Sequence, residues 1–243
     1  VGPAATHPRL RLASMTSPLH RTRIKFCGLT READVDAAVQ AGADAVGFVL
    51  YEPSPRYVSP DRAGELARRL PAFVTPVLLF VNASPEWIAR GAQAVPQAVL
   101  QFHGDESPED CMAARRPFLR AARIPLGEAG RGFDLLQFAD RFVPAQAILL
   151  DAHVDGFGGG GHSFDWTVFP WSHPRLNASS RLVLSGGLTP ANVIDGIRLV
   201  RPWAVDVSSG IEVSKGIKSA DKMQAFVAAV RAADMASPPP QRS

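Results

Sequence analysis

Eight short apolar segments recur along the chain, and this repeat constrains the fold more than any other feature. Their sequences are RIKFC, AVGFVL, PVLLFV, AVLQFH, LRAARI, AILLD, RLVLSG and AVDVSS. Because they lack a clean alternation of polar and apolar residues, they are predicted to be strands of a parallel sheet that is covered on its outer side. Longer helix-like segments follow the strands, so the expected order is strand, helix, strand, helix.

The expected helices have recognisable ends. TREADVDAAVQAG is predicted to begin at Thr30 as its N-cap and to end at Gly42. SPDRAGELARRL, SPEWIARGAQAV and SPEDCMAARR each open with Ser at the N-cap, Pro at the first helical position and an acid in the first turn. TPANVIDGIRLV and SADKMQAFVAAVRAA are helix-like segments that follow the last two strands.

Eight strand–helix units in about 220 residues predict the α/β class and a single (β/α)8 TIM barrel. The alternative, a doubly wound open sheet, is disfavoured because CGLT after the first strand is not a GxGxxG turn. We expect the barrel to span residues 23–233. Residues 1–22 are expected to be a disordered extension or a cloning remnant, with Met15 as a candidate natural start, and residues 234–243 a disordered, Pro-rich tail.

Composition restricts the partners and the compartment. The chain has 243 residues, a net charge of +3 and 26 Lys+Arg without a basic run that contains aromatic residues, so no nucleic-acid partner is expected. The longest apolar stretches are strand-sized, so no membrane span is expected. The chain has only two cysteines, which favours free thiols in a reducing, cytoplasmic compartment.

The first candidate site residue is Cys27, because barrel enzymes carry their active sites at the carboxyl ends of the strands. The period of two places Arg23, Lys25 and Cys27 on one face of the first strand and Ile24 and Phe26 on the other. The apolar pair is expected to face the helices, which leaves Cys27 in the mouth of the barrel. An inert buried cysteine is the alternative, but the strand-end position and the glycine that follows favour a base or a nucleophile.

Asp151 ends the sixth strand, after four apolar residues. Burial of a carboxylate there is costly unless it has a function, although a loop-capping aspartate remains the alternative. The glycine run that follows includes Gly159 and Gly160, which are candidate phosphate contacts because glycine lets the backbone approach an anion closely, with a plain flexible turn as the alternative.

The loops after the seventh and eighth strands, LSGGLTPANV and DVSSGIEVSKG, combine small residues with helix starts. Both features favour phosphate, and these two loops form the common phosphate site of barrels. The candidate contacts are Gly186, Gly187, Ser208, Ser209 and Gly210.

Two further residues are candidates for substrate contact. Arg56 lies in a proline-stiffened loop and suits a planar carboxylate, which an arginine grips with two parallel hydrogen bonds. A solvated surface arginine is the alternative. His103, at the end of the fourth strand, is a second base, a substrate contact or a packing and orienting residue, and the last role is favoured. No metal-ligand spacing and no nucleotide-cofactor motif is present, so neither a metal nor a cofactor is expected.

A thiol and a carboxylate that face a phosphate pocket indicate proton-transfer chemistry on a sugar phosphate. An isomerisation needs one group that removes a carbon-bound proton and another that protonates an oxygen. The expected partner is therefore a small phosphosugar substrate with a second, carboxylate anion. A catalytically inactive phosphate-binding module is disfavoured because both an acid and a base are present.

Seven segments resemble the phosphoribosylanthranilate isomerase family of the tryptophan pathway, from about Ile24 to about Val230. They are KFCGLT, GADAVGFVLYEPSPRYVS, VLLFVNAS, LQFHGDES, ILLDAHVDGFGGGGHSFDW, LSGGLTPANV and AVDVSSGIE. The resemblance implies a (β/α)8 barrel and an Amadori rearrangement of N-(5-phosphoribosyl)anthranilate to 1-(2-carboxyphenylamino)-1-deoxyribulose 5-phosphate. It also implies that Cys27 is the general base, Asp151 the general acid and Arg56 the anthranilate contact, with the phosphate at Gly186–Gly187 and Ser208–Gly210.

The chain departs from the family pattern at Phe26, which is usually Ile, and at His162, to which no role is assigned. A rival is the histidine-pathway aminoaldose isomerase or a bifunctional relative. Such enzymes resemble an Asp/Asp pair, whereas the first strand here ends in Cys27.

Closure of the barrel would place the eighth strand beside the first, with Asp206 pointing inward like Lys25. A charged Lys25 below Cys27 would lower the pKa of the thiol, and Asp206 would keep Lys25 protonated. Asp206 is also a candidate for substrate contact. A purely structural Lys25–Asp206 pair is the alternative. The expected oligomeric state is a monomer or a homodimer.

Overall fold

The computed structural model describes residues 21–153, 163–173, 176 and 181–236. Eight parallel strands close into a barrel in chain order, which confirms the predicted (β/α)8 fold. The strands are β1 (Arg23–Cys27), β2 (Ala45–Val49), β3 (Thr75–Phe80), β4 (Val99–Phe102), β5 (Phe118–Pro125), β6 (Ala147–His153), β7 (Leu182–Leu184) and β8 (Ala204–Val207). Each overlaps one of the eight predicted segments.

Helices follow the strands on the outside of the barrel. The described ones are α1 (Glu32–Ala41), α2 (Pro60–Ala67), α3 (Pro85–Ala94), α4 (Pro108–Ala113), α5 (Glu128–Arg131), α6 (Leu135–Arg141), α7 (Val193–Val200) and α8 (Ala220–Ala236). Short 3₁₀ turns lie at Trp166–Val168 and Ser209–Ile211. Among the described residues, no helix has the length and apolar character needed to cross a membrane.

The predicted helix ends are confirmed with one exception. Ser59, Ser84 and Ser107 cap α2, α3 and α4 by accepting backbone N–H bonds, and Gly42 ends α1 in the left-handed region at φ 92°. The prediction that Thr30 caps α1 is wrong. The N-cap position falls on Arg31, and the Thr30 hydroxyl instead donates to the carbonyl of Gly216 at 2.9 Å.

Alternation along β1 determines what lies inside the barrel. Ile24 and Phe26 are fully buried in the layer between strands and helices. Cys27 faces the interior and packs with Val49 and Leu79. The predicted inward and outward faces of β1 are therefore confirmed.

The boundaries of the barrel differ from the prediction at its C-terminal end. Helix α8 continues through Asp234 to Ala236. The prediction of a disordered tail is therefore wrong for residues 234–236. The reason is that the Asp234 carboxylate accepts bonds from the backbone N–H and the hydroxyl of Thr22, at 3.1 and 2.6 Å to Oδ1, which ties residue 22 and the end of α8 together. The remaining predicted tails, 1–20 and 237–243, lie outside the described residues.

A two-stranded hairpin that the sequence did not predict follows β8. Its strands are β9 (Glu212–Ser214) and β10 (Ile217–Lys218), paired antiparallel. The turn packs on the loop after β2, because a side chain at Gly216 would lie 2.9 Å from the carbonyl oxygen of Pro55. This hairpin therefore brings Glu212 and Lys218 to the mouth of the barrel.

Candidate active site

Cys27 lies where β1 ends and is 5% exposed. Its neighbour on β2 is Gly47. A methyl group at Gly47 would lie 2.7 Å from Cys27 Sγ and 3.2 Å from Lys25 Nζ, so only glycine leaves room for the thiol and the ammonium together. Sequence reasoning missed Gly47, whose signal is a glycine inside a strand, a sign of close approach.

Lys25 and Asp206 form a buried ion pair below Cys27, as predicted. Lys25 Nζ donates to Asp206 Oδ1 at 2.7 Å, and the Ser185 hydroxyl donates to Asp206 Oδ2 at 3.2 Å. The pair follows from the register, in which Lys25 stands beside Asp206 in the β1–β8 ladder. Whether Asp206 also contacts substrate stays a prediction.

The pKa of the Cys27 thiol is raised, although Lys25 was expected to lower it. Burial raises the pKa of the Cys27 thiol above its ordinary value, and the charge of Asp206 adds to this effect. The Lys25 ammonium acts in the predicted direction and lowers the pKa, but it does not overcome burial. Burial also opposes the charge on Lys25, yet Asp206 and Cys27 hold the pKa of Lys25 above its ordinary value, so this residue is protonated.

Asp151 belongs to a chain of buried polar side chains. His103 Nε2 lies 2.9 Å from Asp151 Oδ2, and His103 Nδ1 lies 2.9 Å from Gln101 Nε2. With the Gln101 amide N–H donating to Nδ1, the proton of a neutral His103 lies on Nε2 and is donated to Asp151. The interpretation of His103 as an orienting residue is thus supported by its contacts, and Gln101 is a member that the sequence analysis missed.

The glycine-containing loops after β7 and β8 approach the site. Gly186 has φ +76°, and a methyl group there would lie 3.0 Å from Asp151 Oδ1. A methyl group at Gly210 would collide with the carbonyl oxygen of Leu188, so the two predicted phosphate loops pack directly on each other. The predicted contacts Gly159 and Gly160, and the departure at His162, lie outside the described residues.

Arg56 is 6% exposed, so the alternative of a solvated surface arginine is wrong. Its Nε and Nη2 donate to Glu212 Oε1 and Oε2 at 2.7 and 2.8 Å. The Arg56 side chain packs directly on Gly28, which follows Cys27 and has φ +74°. A methyl group at Gly28 would lie only 2.5 Å from Arg56 Cδ. Arg56 therefore lies at the mouth of the barrel, as predicted. Its carboxylate partner, Glu212, was not predicted.

Lys218 completes this group of charges. Its ammonium donates to Glu212 Oε1 at 2.8 Å and to the carbonyl and hydroxyl oxygens of Ser208 at 3.0 and 3.2 Å. The Ser208 hydroxyl in turn donates to the carbonyl oxygen of Cys27 at 3.0 Å. Glu212 lies within the segment AVDVSSGIE that carries the family resemblance, whereas nothing in the sequence marks Lys218.

Comparison with known proteins is decisive for the family. Residues 24–229 match the family model described as N-(5'phosphoribosyl)anthranilate (PRA) isomerase. The chain belongs to the phosphoribosylanthranilate isomerase family.

Named relatives of this isomerase family support the assignment. The N-(5'-phosphoribosyl)anthranilate isomerase of Leptothrix cholodnii is 61% identical over 217 residues, which cover 89% of this chain and 94% of the relative. The one of Dechloromonas aromatica is 60% identical over 214 residues, with 88% and 98% covered. Among solved structures, the isomerase of Thermotoga maritima superposes with a TM-score of 0.76 at 38% identity, covering 87% of this chain and 99% of that one. The predicted family is therefore confirmed.

Proposed function

We propose that the chain catalyses the Amadori rearrangement of N-(5-phosphoribosyl)anthranilate to 1-(2-carboxyphenylamino)-1-deoxyribulose 5-phosphate in tryptophan biosynthesis. The observation that carries the proposal is the placement of two buried groups, a thiol that can accept a proton and a carboxyl that can donate one, in an isomerase-family barrel: Cys27 ends β1, and Asp151 lies near the carboxyl end of β6, which continues to His153 rather than ending at Asp151. A related structure is described as a complex with reduced 1-(o-carboxyphenylamino)-1-deoxyribulose 5-phosphate. Proton transfers alone interconvert substrate and product, so the mechanism requires no cofactor.

The first step is ring opening, with Asp151 as the general acid. Asp151 transfers its proton to the ribose ring oxygen, the bond from that oxygen to C1′ breaks, and the nitrogen lone pair forms a Schiff base. The carboxylate left on Asp151 accepts the hydrogen bond from His103 Nε2. That bond strengthens as the negative charge develops, so His103 stabilises the carboxylate that forms.

The second step is proton abstraction by Cys27. Its thiolate removes the proton from C2′, and the electron pair moves towards the iminium nitrogen to give an enolamine. The enolamine tautomerises to the ketone, the thiol releases its proton, and the Asp151 carboxylate takes up a proton, so both groups return to their starting state. Lys25 favours the thiolate, because its charge lowers the pKa of Cys27 against the effect of burial.

The two anions of the substrate have separate candidate sites at the mouth. Arg56 is the candidate for the aromatic carboxylate. For the phosphate, Gly187, Ser209 and Gly210 offer backbone N–H groups for which no acceptor is found among the described residues, and Gly186 and Ser208 border the same two loops. Free N–H groups at the start of a helical turn suit a phosphate.

The proposed partner of this chain is the small phosphosugar–anthranilate substrate, and no nucleic-acid or membrane partner is proposed. The proposed location of the protein is the cytoplasm. A solved relative from Thermotoga maritima is described as dimeric and was also obtained as monomers, and we propose a monomer or a homodimer here.

The fluorescence of the anthranilate group tests the reaction. Fluorescence of N-(5-phosphoribosyl)anthranilate should decay with wild type, and Cys27→Ala and Asp151→Asn should each lower kcat by about 10²–10⁴-fold while folding normally. Cys111→Ala is the matched control, because Cys111 is the other free, buried thiol. A Cys27→Ala enzyme within about threefold of wild type would remove the thiol from the mechanism.

A second measurement tests the carboxylate contact. Arg56→Ala should mainly raise KM, because a carboxylate distant from the reacting carbons is bound about equally in the ground and transition states. A strong fall in kcat at unchanged KM would instead place Arg56 in the chemical step.

A further inference from the structure

Arg56, Glu212 and Lys218 form a buried cluster, here called the carboxylate cluster, with an unbalanced charge. The side chains are 8%, 6% and 0% exposed. Two of these side chains are cations and one is an anion, so the three side chains together carry one net positive charge. Burial opposes ionisation of Glu212, but the hydrogen bonds and charges of Arg56 and Lys218 outweigh it and hold the pKa of Glu212 below its usual value.

The way in which Glu212 binds Arg56 leaves one edge of the guanidinium available. A guanidinium has five N–H bonds on three nitrogens. Glu212 accepts from Nε and Nη2 along the side edge, whereas Nη1 has no partner among the described residues. The end edge, formed by Nη1 and the second N–H of Nη2, can therefore still donate two parallel bonds to a carboxylate.

We propose that Glu212 is a positioning residue that fixes Arg56 with its end edge available for the substrate's aromatic carboxylate, and that Lys218 supplies the charge that lets two carboxylates share the cluster. This inference rests on the proposed function. Without Lys218, Glu212 would already neutralise Arg56, and an incoming carboxylate would meet a neutral pair with its anion close by. With Lys218, two cations face two anions once the substrate is bound, so each carboxylate is compensated.

Two variants separate geometry from charge. Glu212→Gln/Lys218→Met removes one anion and one cation, so the cluster keeps its net charge while Arg56 loses its two-point anchor. Lys218→Met alone keeps the anchor but makes the cluster neutral. The probe is reduced 1-(o-carboxyphenylamino)-1-deoxyribulose 5-phosphate, with its analogue that lacks the carboxyl group as the control ligand, and the dissociation constant is measured by calorimetry.

Both variants should bind the carboxylated probe about tenfold or more weakly, the typical effect of losing a charged hydrogen bond, while the control ligand changes less than about threefold. In an Arg56→Ala background, the Glu212→Gln/Lys218→Met pair should add less than about threefold, because Glu212 acts through Arg56. The same variants should raise KM.

Equal losses for both ligands, or equal losses with and without Arg56, would show that the hairpin is merely structural and overturn the proposal. Wild-type affinity in either variant would also overturn it. If the double variant does not fold by circular dichroism, Lys218→Met still decides on the charge. A wild type that binds the probe but does not convert the substrate refutes the proposed function alone, and one that does not bind the probe refutes both.

Discussion

The electrostatic coupling between the Lys25–Asp206 pair and Cys27 gives the sharpest prediction. A methyl group added to Gly47 would lie 2.7 Å from Cys27 Sγ and 3.2 Å from Lys25 Nζ. The sulfur and the ammonium nitrogen therefore lie within about 6 Å of each other. At an effective dielectric constant of about 20, a charge at that distance favours the thiolate by about 3 kcal/mol, or about two pKa units. Asp206 Oδ1 lies 2.7 Å from Lys25 Nζ, so it is at most about 3 Å farther from the thiol and cancels at least about two thirds of this effect.

The perturbations are therefore Lys25→Met and Lys25→Met/Asp206→Asn. The single variant leaves Asp206 unpaired near the thiol, and the pKa of Cys27 should rise by up to about two units. The double variant removes both charges, and the pKa should rise by somewhat less than about one unit. Both shifts add to the increase that burial already causes in wild type.

The assay is the rate of Cys27 alkylation by iodoacetamide as a function of pH. Cys111 should not interfere, because it is buried and burial raises its pKa to about 12, and Cys111→Ser provides the background in which this is checked. Circular dichroism establishes that each variant folds. An apparent pKa that is unchanged or lower in the variants would refute the coupling and leave the alternative of a purely structural ion pair.

Three further predictions concern single positions. Gly28→Ala should lower the melting temperature and raise KM, because φ is +74° and the new methyl group would lie 2.5 Å from Arg56 Cδ; unchanged values of both would contradict the packing argument. His103→Ala should lower kcat by about tenfold or more with little change in KM, because it removes a hydrogen bond to the carboxylate that forms on Asp151; steady-state kinetics that show an effect on KM alone would contradict that role. Gly210→Ala should weaken competitive inhibition by inorganic phosphate, since it separates the two phosphate loops, and an unaltered inhibition constant would argue against a phosphate there.

The sequence predicts those features that depend on local periodicity. Alternation in RIKFC is sufficient to place Lys25 and Cys27 inside the barrel, and closure is sufficient to place Asp206 beside Lys25. The Ser-Pro openings identify three helix starts because capping involves only neighbouring backbone groups. These inferences succeed because each depends either on residues a few positions apart or on the rule that closure places the last strand beside the first.

The carboxylate cluster could not be predicted in the same way. Arg56 and Glu212 are separated by 156 positions, and their contact depends on how the loop after β2 meets an irregular hairpin after β8. Neither loop has a period that would indicate where its side chains point. Thr30 illustrates the same limit: a good capping residue is drawn from its helix by the carbonyl of Gly216 on that hairpin.

The two groups of charges around Cys27 lead to one further prediction, which compares the pKa of Cys27 in the free enzyme and in the substrate complex. Lys25 and Asp206 form a closed pair below the thiol, whereas Lys218, in the carboxylate cluster, also lowers the pKa of Cys27 by its charge. A bound substrate carboxylate would compensate that cluster, so less of its positive charge would act on the thiol. The pKa of Cys27 should then be higher in the complex than in the free enzyme. The limb of the pH profile that Cys27 sets should therefore lie at higher pH in single-turnover rates at saturation than in kcat/KM, which reports the free enzyme. Coincident limbs, or the reverse order, would show that the carboxylate and the thiolate do not share the charge of Lys218.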